Sequence, residues 1–332
     1  MPASACSDPT LPDPSKLVLG IDVSGKQLDL AYSDGHAPKP VAYDDAGLKK
    51  LLTQLRDKPA TLVVLESTGG IEQRLIDFLI EADIPVARVE PGRVRHFALA
   101  EGKIAKTDPI DAGTIARFGQ RVATRILQKR SEKRVELDAL VTCRRQLVSV
   151  RTDQTNRRRN VTSKKALAAI NAVLASIEKQ ITALDKAIRQ IIDSDDDLDD
   201  LDRILQSTPG VGPGLSATLL GAVSELGTVE KNRVAALIGV APFNNDSGPR
   251  KGVRRICGGR QDVRDTLYMA TVAALRCNPV IQHFAKRLEA AGKPFKVMVT
   301  ACMRKLLTLL NAMVRDRITW DQLEVVKSLK CA

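Results

Sequence analysis

Four carboxylates stand at positions from which they could act together on a phosphodiester. Asp22 and Glu66 each directly follow a short apolar run. Asp108 and Asp111 lie three residues apart at the start of a segment with a helical pattern. Clustered carboxylates repel each other unless cations neutralise them, so this set predicts bound Mg²⁺ or Mn²⁺. Two such ions can hold the attacking and the leaving oxygen of a phosphoryl transfer.

Each acid also has an ordinary structural interpretation. Asp108 before Pro109 fits an N-cap followed by proline at the first helical position. Asp111 then lies in the first turn, where a negative charge stabilises the helix N-terminus. Asp22 and Glu66 could be ordinary strand-end residues. An acid that directly continues an apolar run lies near the core, however, where an unpaired charge is costly. The four acids taken together therefore favour a metal site.

The elements around these acids predict an α/β domain. Apolar patterns and turn residues give the following order: a β-hairpin over 16–34, a helix over 46–55, a strand over 61–66, a helix over 71–81, a strand over 86–89 and a helix over 108–117. This order is compatible with a ribonuclease-H-like domain over residues 16–125, and the proline-rich residues 1–15 are predicted to be a disordered tail.

A helical arm is predicted over residues 126–200. Apolar residues from Leu167 to Ile191 recur at alternating spacings of three and four, which is the pattern of a coiled-coil seam. A weaker run over 140–150 precedes it, and the polar segment 151–160 is expected to break the helix. The two helices either fold back on each other or pair with another protomer. The acidic residues 193–202 are interpreted as an exposed linker whose later acids open the next helix.

The C-terminal part, residues 201–325, is predicted to be mainly helical. Residues 205–220 resemble the hairpin of helix-hairpin-helix proteins, with Gly210 and Gly212 in the turn. The N–H groups at the start of the following helix could hold a DNA phosphate. The alternative is a glycine-rich turn that joins two packed helices.

Ser247 lies in a polar turn close to several cations. The cations are Arg250, Lys251, Arg254 and Arg255. A serine hydroxyl among positive charges is well placed to approach a phosphate. In isolation, however, Ser247-Gly248 is an ordinary turn dipeptide.

Charge and composition favour a polyanionic partner. The net charge is +12, and residues 88–165 hold 20 Lys or Arg against 8 Asp or Glu. Such a cluster is typical of nucleic-acid binding, although a solvated helical face is the alternative. The most concentrated cations are Arg157, Arg158, Arg159, Lys164 and Lys165. No apolar run approaches the roughly 18 residues of a membrane span, so a cytoplasmic protein is expected.

These features, in this order, resemble the insertion sequence one-ten family, the DEDD transposases or bridge-RNA-guided recombinases. The resemblance covers about residues 16–315. It implies a RuvC-like domain that binds Mg²⁺ through the four acids, a coiled-coil arm, and a C-terminal transposase domain. It also implies that Ser247 attacks DNA and forms a covalent phosphoserine.

The resemblance further implies particular partners. They are donor and target double-stranded DNA and a guide (bridge) RNA from the noncoding end of the element. Further copies of the chain are expected in a dimer or tetramer. The complex is expected to act at the nucleoid, with no membrane partner. The sequence departs from the family at Ile71, where an aromatic residue often stands, and at Gly259–Arg264, which replaces a Gly-Asn-Leu-Arg-like stretch.

Two other functions remain compatible with the residues. One is a structure-selective endonuclease that uses the four acids and water, with Ser247 in a structural role. The other is a non-catalytic nucleic-acid-binding protein in which the acids are helix caps. The complete set of acids favours catalysis, because a binder gains nothing from concentrating negative charge beside its polyanion.

Overall fold

The computed structural model describes residues 13–102, 108–243, 252 and 254–323, without the side chains of residues 108–111. Most of the predicted tail lies outside these residues. The chain forms two compact units, residues 1–129 and 130–332.

The first unit is a mixed sheet with helices on both faces. Its strands are β1 (Val18–Val23), β2 (Gln27–Tyr32), β3 (Val41–Ala42), β4 (Leu62–Glu66) and β5 (Val86–Val89). Its helices are α1 (Asp45–Asp57), α2 (Gln73–Glu81), α3 (Pro91–Ala100) and α4 (Asp108–Arg121). The strand order is β3-β2-β1-β4-β5, with β1, β4 and β5 parallel and β2 and β3 antiparallel to their neighbours. The predicted α/β region at the N-terminus is confirmed.

The two sheet faces have separate cores because side chains alternate along each strand. Leu19 and Ile21 pack on one face in a cluster that includes residues of α1 and α2. Val18 and Val64 pack on the other face, with Ile115 of α4. Gly20 and Asp22 follow Val18 at every second position of β1, and Glu66 follows Val64 in β4, so these residues lie on the face that α4 covers.

The second unit contains the long helices and a short ribbon. Its helices are α5 (Glu132–Arg159), α6 (Lys164–Asp193), α7 (Asp196–Gln206), α8 (Pro213–Ala222), α9 (Lys231–Ile238), α10 (Gln261–Cys277), α11 (Pro279–Ala290) and α12 (Phe295–Asp316). Between α9 and α10, β6 (Pro242–Phe243) and β7 (Arg255–Ile256) pair antiparallel. The predicted region of helices after the sheet is confirmed.

The helices α5 and α6 fold back on each other as an antiparallel hairpin, which is the first of the two predicted arrangements. Arg144 pairs with Asp185, and Arg151 pairs with Glu178 at 3.1 Å. A step of seven residues toward the C-terminus of α5 thus matches a step of seven residues toward the N-terminus of α6, so the two helices run antiparallel. Ile177 of the predicted seam is buried along this pairing.

One expectation for the arm is wrong. The polar segment 151–160 does not break the helix, since α5 continues to Arg159. Its polar side chains are mostly exposed, and Arg151 forms an ion pair with Glu178 of α6. Periodicity of apolar residues could not reveal this helix because few of its residues are buried.

The acids after the arm open the next helix as predicted, but the segment is not an exposed linker, since Asp193 still belongs to α6 and Asp202 is 2% exposed. The Asp195 side chain caps α7 by accepting a hydrogen bond from the Leu198 N–H at 3.2 Å. Asp196, Asp197 and Asp199 occupy the first turn of that helix, where negative charge complements the helix dipole.

Two helices, α6 and α12, are long and apolar enough to cross a membrane by length and composition alone. In α12, however, 56% of the most apolar window is buried in the second unit. In α6 the apolar residues form the seam with α5. Burial in α12 also raises the pKa of the Cys302 thiol to about 11, so this thiol stays protonated at neutral pH. A core helix such as α12 passes the same test, and the corresponding window of α6 is 11% buried, so the two helices are weak evidence for a membrane span.

Candidate functional site

Asp22 and Glu66 lie side by side at the carboxyl edge of the sheet. The parallel strands β1 and β4 pair Ile21 with Leu65, so Asp22 and Glu66 are the next residues in register. Neighbouring strands are about 4.8 Å apart. Because side chains alternate, both acids lie on the α4 face, together with Val64. Both are half-buried.

The start of α4 reaches the same edge. A Cβ added to Gly119 would lie 3.1 Å from the side chain of Val18 at the start of β1, whereas one added to Gly20, two residues further along β1, would overlap the backbone of Ala112 and Ala116. Toward its N-terminus, α4 therefore runs toward the carboxyl end of β1. Its first turn, which contains Asp108 and Asp111, lies at the edge that carries Asp22 and Glu66, although the side chains of these two residues are outside the described part.

Gly20 is required for this close approach of α4. We expect Gly20→Ala to destabilise the first unit by about 1–3 kcal/mol or more, because the added Cβ must displace helix backbone. Gly25→Ala is the matched control, since a Cβ at Gly25 meets nothing within 4 Å. Urea unfolding measures both variants. Equal stability of the two would contradict the packing of α4 on Gly20.

A buried acid that the sequence did not single out holds the loop after Glu66. The Glu72 carboxylate is 1% exposed and accepts hydrogen bonds from the Gly70 N–H at 2.8 Å and the Ser67 hydroxyl at 3.3 Å. Arg88 of β5 lies 3.5 Å from it. These contacts fix the loop through which β4 leaves the acid edge. In the sequence, Glu72 is marked only by its position close to the Gly69-Gly70 pair.

A third acid, Asp29 of β2, lies opposite Asp22 in the antiparallel pairing with β1. Residues directly opposite each other in such a pair project to the same face. The sequence carried a weak signal for Asp29, an acid at an alternate position of an apolar strand.

The donor atoms at this edge fit a hard divalent cation. Carboxylate oxygens are the ligands that Mg²⁺ takes in proteins, and Mn²⁺ accepts the same ligands. Within the ranges that the structure describes, no group of three or more His, Cys, Asp or Glu side chains is arranged to hold a metal ion directly. A direct site at this edge would therefore need Asp108 and Asp111, whose side chains lie outside those ranges.

The predicted nucleophile Ser247 lies outside the described residues, as do Arg250 and Lys251. The ribbon that carries this loop is described at its base, where Phe243 pairs with Arg255. Arg254 and Arg255 are exposed there.

The base of the ribbon is fixed by two arginines that the sequence did not identify as functional. Arg260 makes two hydrogen bonds to the Glu225 carboxylate, at 2.8 and 2.7 Å. Arg264 donates to the Gly258 carbonyl at 2.6 Å. Gly239 adopts φ +76° and packs so closely on Gly258 that a Cβ would overlap its carbonyl. The loop with Ser247 therefore starts and ends on a tightly held base.

The predicted glycine-rich hairpin is the turn between α7 and α8. Gly210 has φ +93°, and a Cβ there would lie 2.6 Å from Ala274 Cα, so this glycine serves packing. Gly212 is the exposed N-cap of α8, and a Cβ there would meet nothing within 4 Å. The two glycines thus have different roles, and only the helix start at Gly212 is open to a ligand.

The predicted basic residues of the arm lie together at its tip. Arg157, Arg158 and Arg159 end α5, and Lys164 and Lys165 begin α6. All five side chains are exposed. The fold-back of the two helices concentrates their charge in one place.

Two family models match the chain. Residues 19–164 match DEDD_Tnp_IS110, described as a transposase. Residues 202–286 match the model described as the transposase IS116/IS110/IS902 family.

Curated proteins are similar over nearly the whole chain. The chain is 27% identical over 322 residues to the pilin gene-inverting protein of Moraxella bovis, covering 93% of this chain and 98% of that protein. The protein of the same name from Moraxella lacunata gives the same figures. The chain is also 31% identical over 136 residues to the IS116 uncharacterized 44.8 kDa protein of Streptomyces clavuligerus, covering 40% of this chain and 33% of that protein.

Proposed function

Since this chain belongs to the IS110 family of transposases, we propose that it moves an insertion sequence by RNA-guided, Mg²⁺-dependent strand exchange through a covalent phosphoserine–DNA intermediate. The chain is a DNA transposase or recombinase. The observation that carries the proposal is the register of Asp22 and Glu66 on the α4 face of the sheet.

The acid edge is the proposed metal centre of a RuvC-like domain. Asp22, Glu66, Asp108 and Asp111 would hold the ion, and the family generally uses divalent metals. A bound Mg²⁺ or Mn²⁺ would polarise the phosphate and lower the pKa of the attacking hydroxyl. The chain's own contribution is to hold Asp22 and Glu66 in register on rigid strands, with α4 packed against Gly20.

The proposed nucleophile is Ser247, on the loop between β6 and β7. Its Oγ would form a new ester bond to a DNA phosphorus as one DNA ester oxygen leaves as a free hydroxyl end. The bond energy is conserved in the serine ester, so a second DNA hydroxyl can rejoin the strand without another energy source. The Moraxella relatives carry the name pilin gene-inverting protein, and inverting a DNA segment requires that the cut strands be rejoined.

The proposed nucleic-acid contacts are mostly to the backbone. They comprise the arm tip (Arg157, Arg158, Arg159, Lys164, Lys165), the helix start at Gly212 and the serine loop (Arg250, Lys251, Arg254, Arg255). Cations of this kind read phosphate position and not base sequence. Base pairing with a guide RNA from the element's noncoding end would then supply specificity for donor and target DNA.

The proposed assembly is a dimer or tetramer that acts at the nucleoid. A transposase of this family is expected to be a soluble protein that acts on DNA. The predicted domains, 16–125 for the RuvC-like part, 126–200 for the coiled-coil arm and 201–325 for the transposase part, belong to this proposal.

The arm tip is expected to contribute salt-dependent binding. Lys164→Gln/Lys165→Gln should weaken DNA or RNA binding and lower the slope of log Kd against log salt by roughly 2, about one for each phosphate that is no longer neutralised. The matched control is Lys179→Gln/Lys186→Gln, two exposed lysines on the same helix away from the tip. Fluorescence anisotropy at several salt concentrations measures both. Identical slopes for the two variants would contradict a binding role of the tip.

The guide RNA is tested by leaving it out. Purified protein, Mg²⁺ and labelled element-junction DNA are incubated with and without RNA from the noncoding flank, and the products are separated on a denaturing gel. Joined strands and a protein–DNA adduct are expected only with the RNA. Equal amounts of both products without it would contradict RNA guidance and leave the strand-exchange chemistry standing.

A further inference from the structure

Asp29 adds a third carboxylate to the row formed by Asp22 and Glu66. The antiparallel pairing sets Asp29 of β2 directly across from Asp22 of β1, and Glu66 of β4 lies on the other side of Asp22. All three residues lie on the face that α4 covers. Their Cβ atoms follow the strand spacing, about 4.5–5.5 Å between Asp22 and Asp29.

Asp29 is buried without a counter-charge. Its side chain is 9% exposed, and its Oδ1 accepts a hydrogen bond from the Gln27 amide at 2.9 Å. No Lys or Arg pairs with it among the residues that the structure describes. Like charges directly across a sheet repel, and a buried carboxylate without a cation is costly. A nearby cation would relieve both costs.

Resting on the metal centre proposed above, we propose that Asp29 is a positioning residue of that centre. The described side chains do not form a direct three-acid site, so Asp29 is assigned to the water shell of the ion and not to its inner ligands. Mg²⁺ usually keeps several of its waters when it binds a protein, and a buried carboxylate can accept hydrogen bonds from one of them. Its negative charge strengthens cation binding by the neighbouring Asp22.

The test is Mn²⁺ binding to the full-length protein without nucleic acid, measured by titration calorimetry. Asp29→Asn preserves shape and an acceptor for Gln27, and should lower the Mn²⁺ affinity at least about 10-fold, as loss of an outer-shell partner does. Asp29→Glu keeps the charge and should retain most of the affinity. The matched control Asp77→Asn removes an acid that also accepts from a glutamine amide, Gln73 at 2.8 Å, but lies in α2; it should leave the affinity unchanged.

Stability without metal separates this role from a merely structural one. Relief of carboxylate repulsion predicts that metal-free Asp29→Asn is at least as resistant to urea as the unchanged protein. A less stable or unfolded variant would overturn the proposal, because Asp29 would then support the fold itself. If the unchanged protein binds Mn²⁺ and Asp29→Asn binds it equally well, only the role of Asp29 is overturned. If the unchanged protein binds no Mn²⁺, the proposed metal centre is overturned together with it.

Discussion

Asp22→Asn is expected to reduce Mg²⁺-dependent DNA strand cleavage by about 10³-fold or more, since a bound metal supplies several kcal/mol of transition-state stabilisation. Asp22 occupies the middle of the acid row, between β2 and β4, so its carboxylate lies closest to both neighbouring acids. Asparagine keeps the shape of the side chain and removes the charge. The fold is therefore expected to survive, and DNA affinity should stay the same or rise.

Single-turnover cleavage of labelled DNA measures this effect, with anisotropy for DNA binding. Asp57→Asn, an exposed acid at the end of α1, is the control and should cleave as the unchanged protein does. Cleavage by Asp22→Asn within tenfold of the unchanged protein would show that the acid row is not the catalytic centre. The non-catalytic alternative predicts no cleavage by any of the three proteins.

Ser247→Ala is expected to abolish the covalent protein–DNA adduct completely. No other group can replace the attacking oxygen in forming the phosphoserine ester. Denaturing electrophoresis with and without protease detects the adduct. Ser224→Ala, which removes an exposed hydroxyl from the same unit, should form the adduct normally.

The serine variant also separates strand exchange from hydrolysis. A structure-selective endonuclease that activates water would still release nicked strands from Ser247→Ala. Nicks at the normal rate in this variant would therefore contradict the phosphoserine intermediate and favour the endonuclease, while the metal centre would remain.

The sequence predicted the first unit well where apolar runs were strong. The segments now seen as β1, β4, α1 and α2 contain dense apolar patterns, and their predicted ends agree with the structure within about two residues. The two-residue strand β3 is too short to leave a pattern. Helix α3 begins at Pro91 and buries only Val94, so no apolar periodicity marks it.

The site was predicted in part because strand ends are visible in a sequence and strand register is not. Asp22 and Glu66 could be placed at an edge because each ends an apolar run. The position of Asp29 opposite Asp22 depends on the length of the turn between β1 and β2, which fixes the pairing. Arg260 and Glu225 are 35 residues apart, and only tertiary packing brings them together.

The position of Mn²⁺ in a crystal of the protein soaked with that ion, located by anomalous diffraction, tests directly whether the acid edge is the metal centre. An anomalous peak is expected at the carboxyl edge of β1 and β4, bounded by the carboxylates of Asp22, Glu66, Asp108 and Asp111. A Mn²⁺ ion bound elsewhere, with no peak between Asp22 and Glu66, would contradict the assignment of this edge as the metal centre of DNA strand transfer.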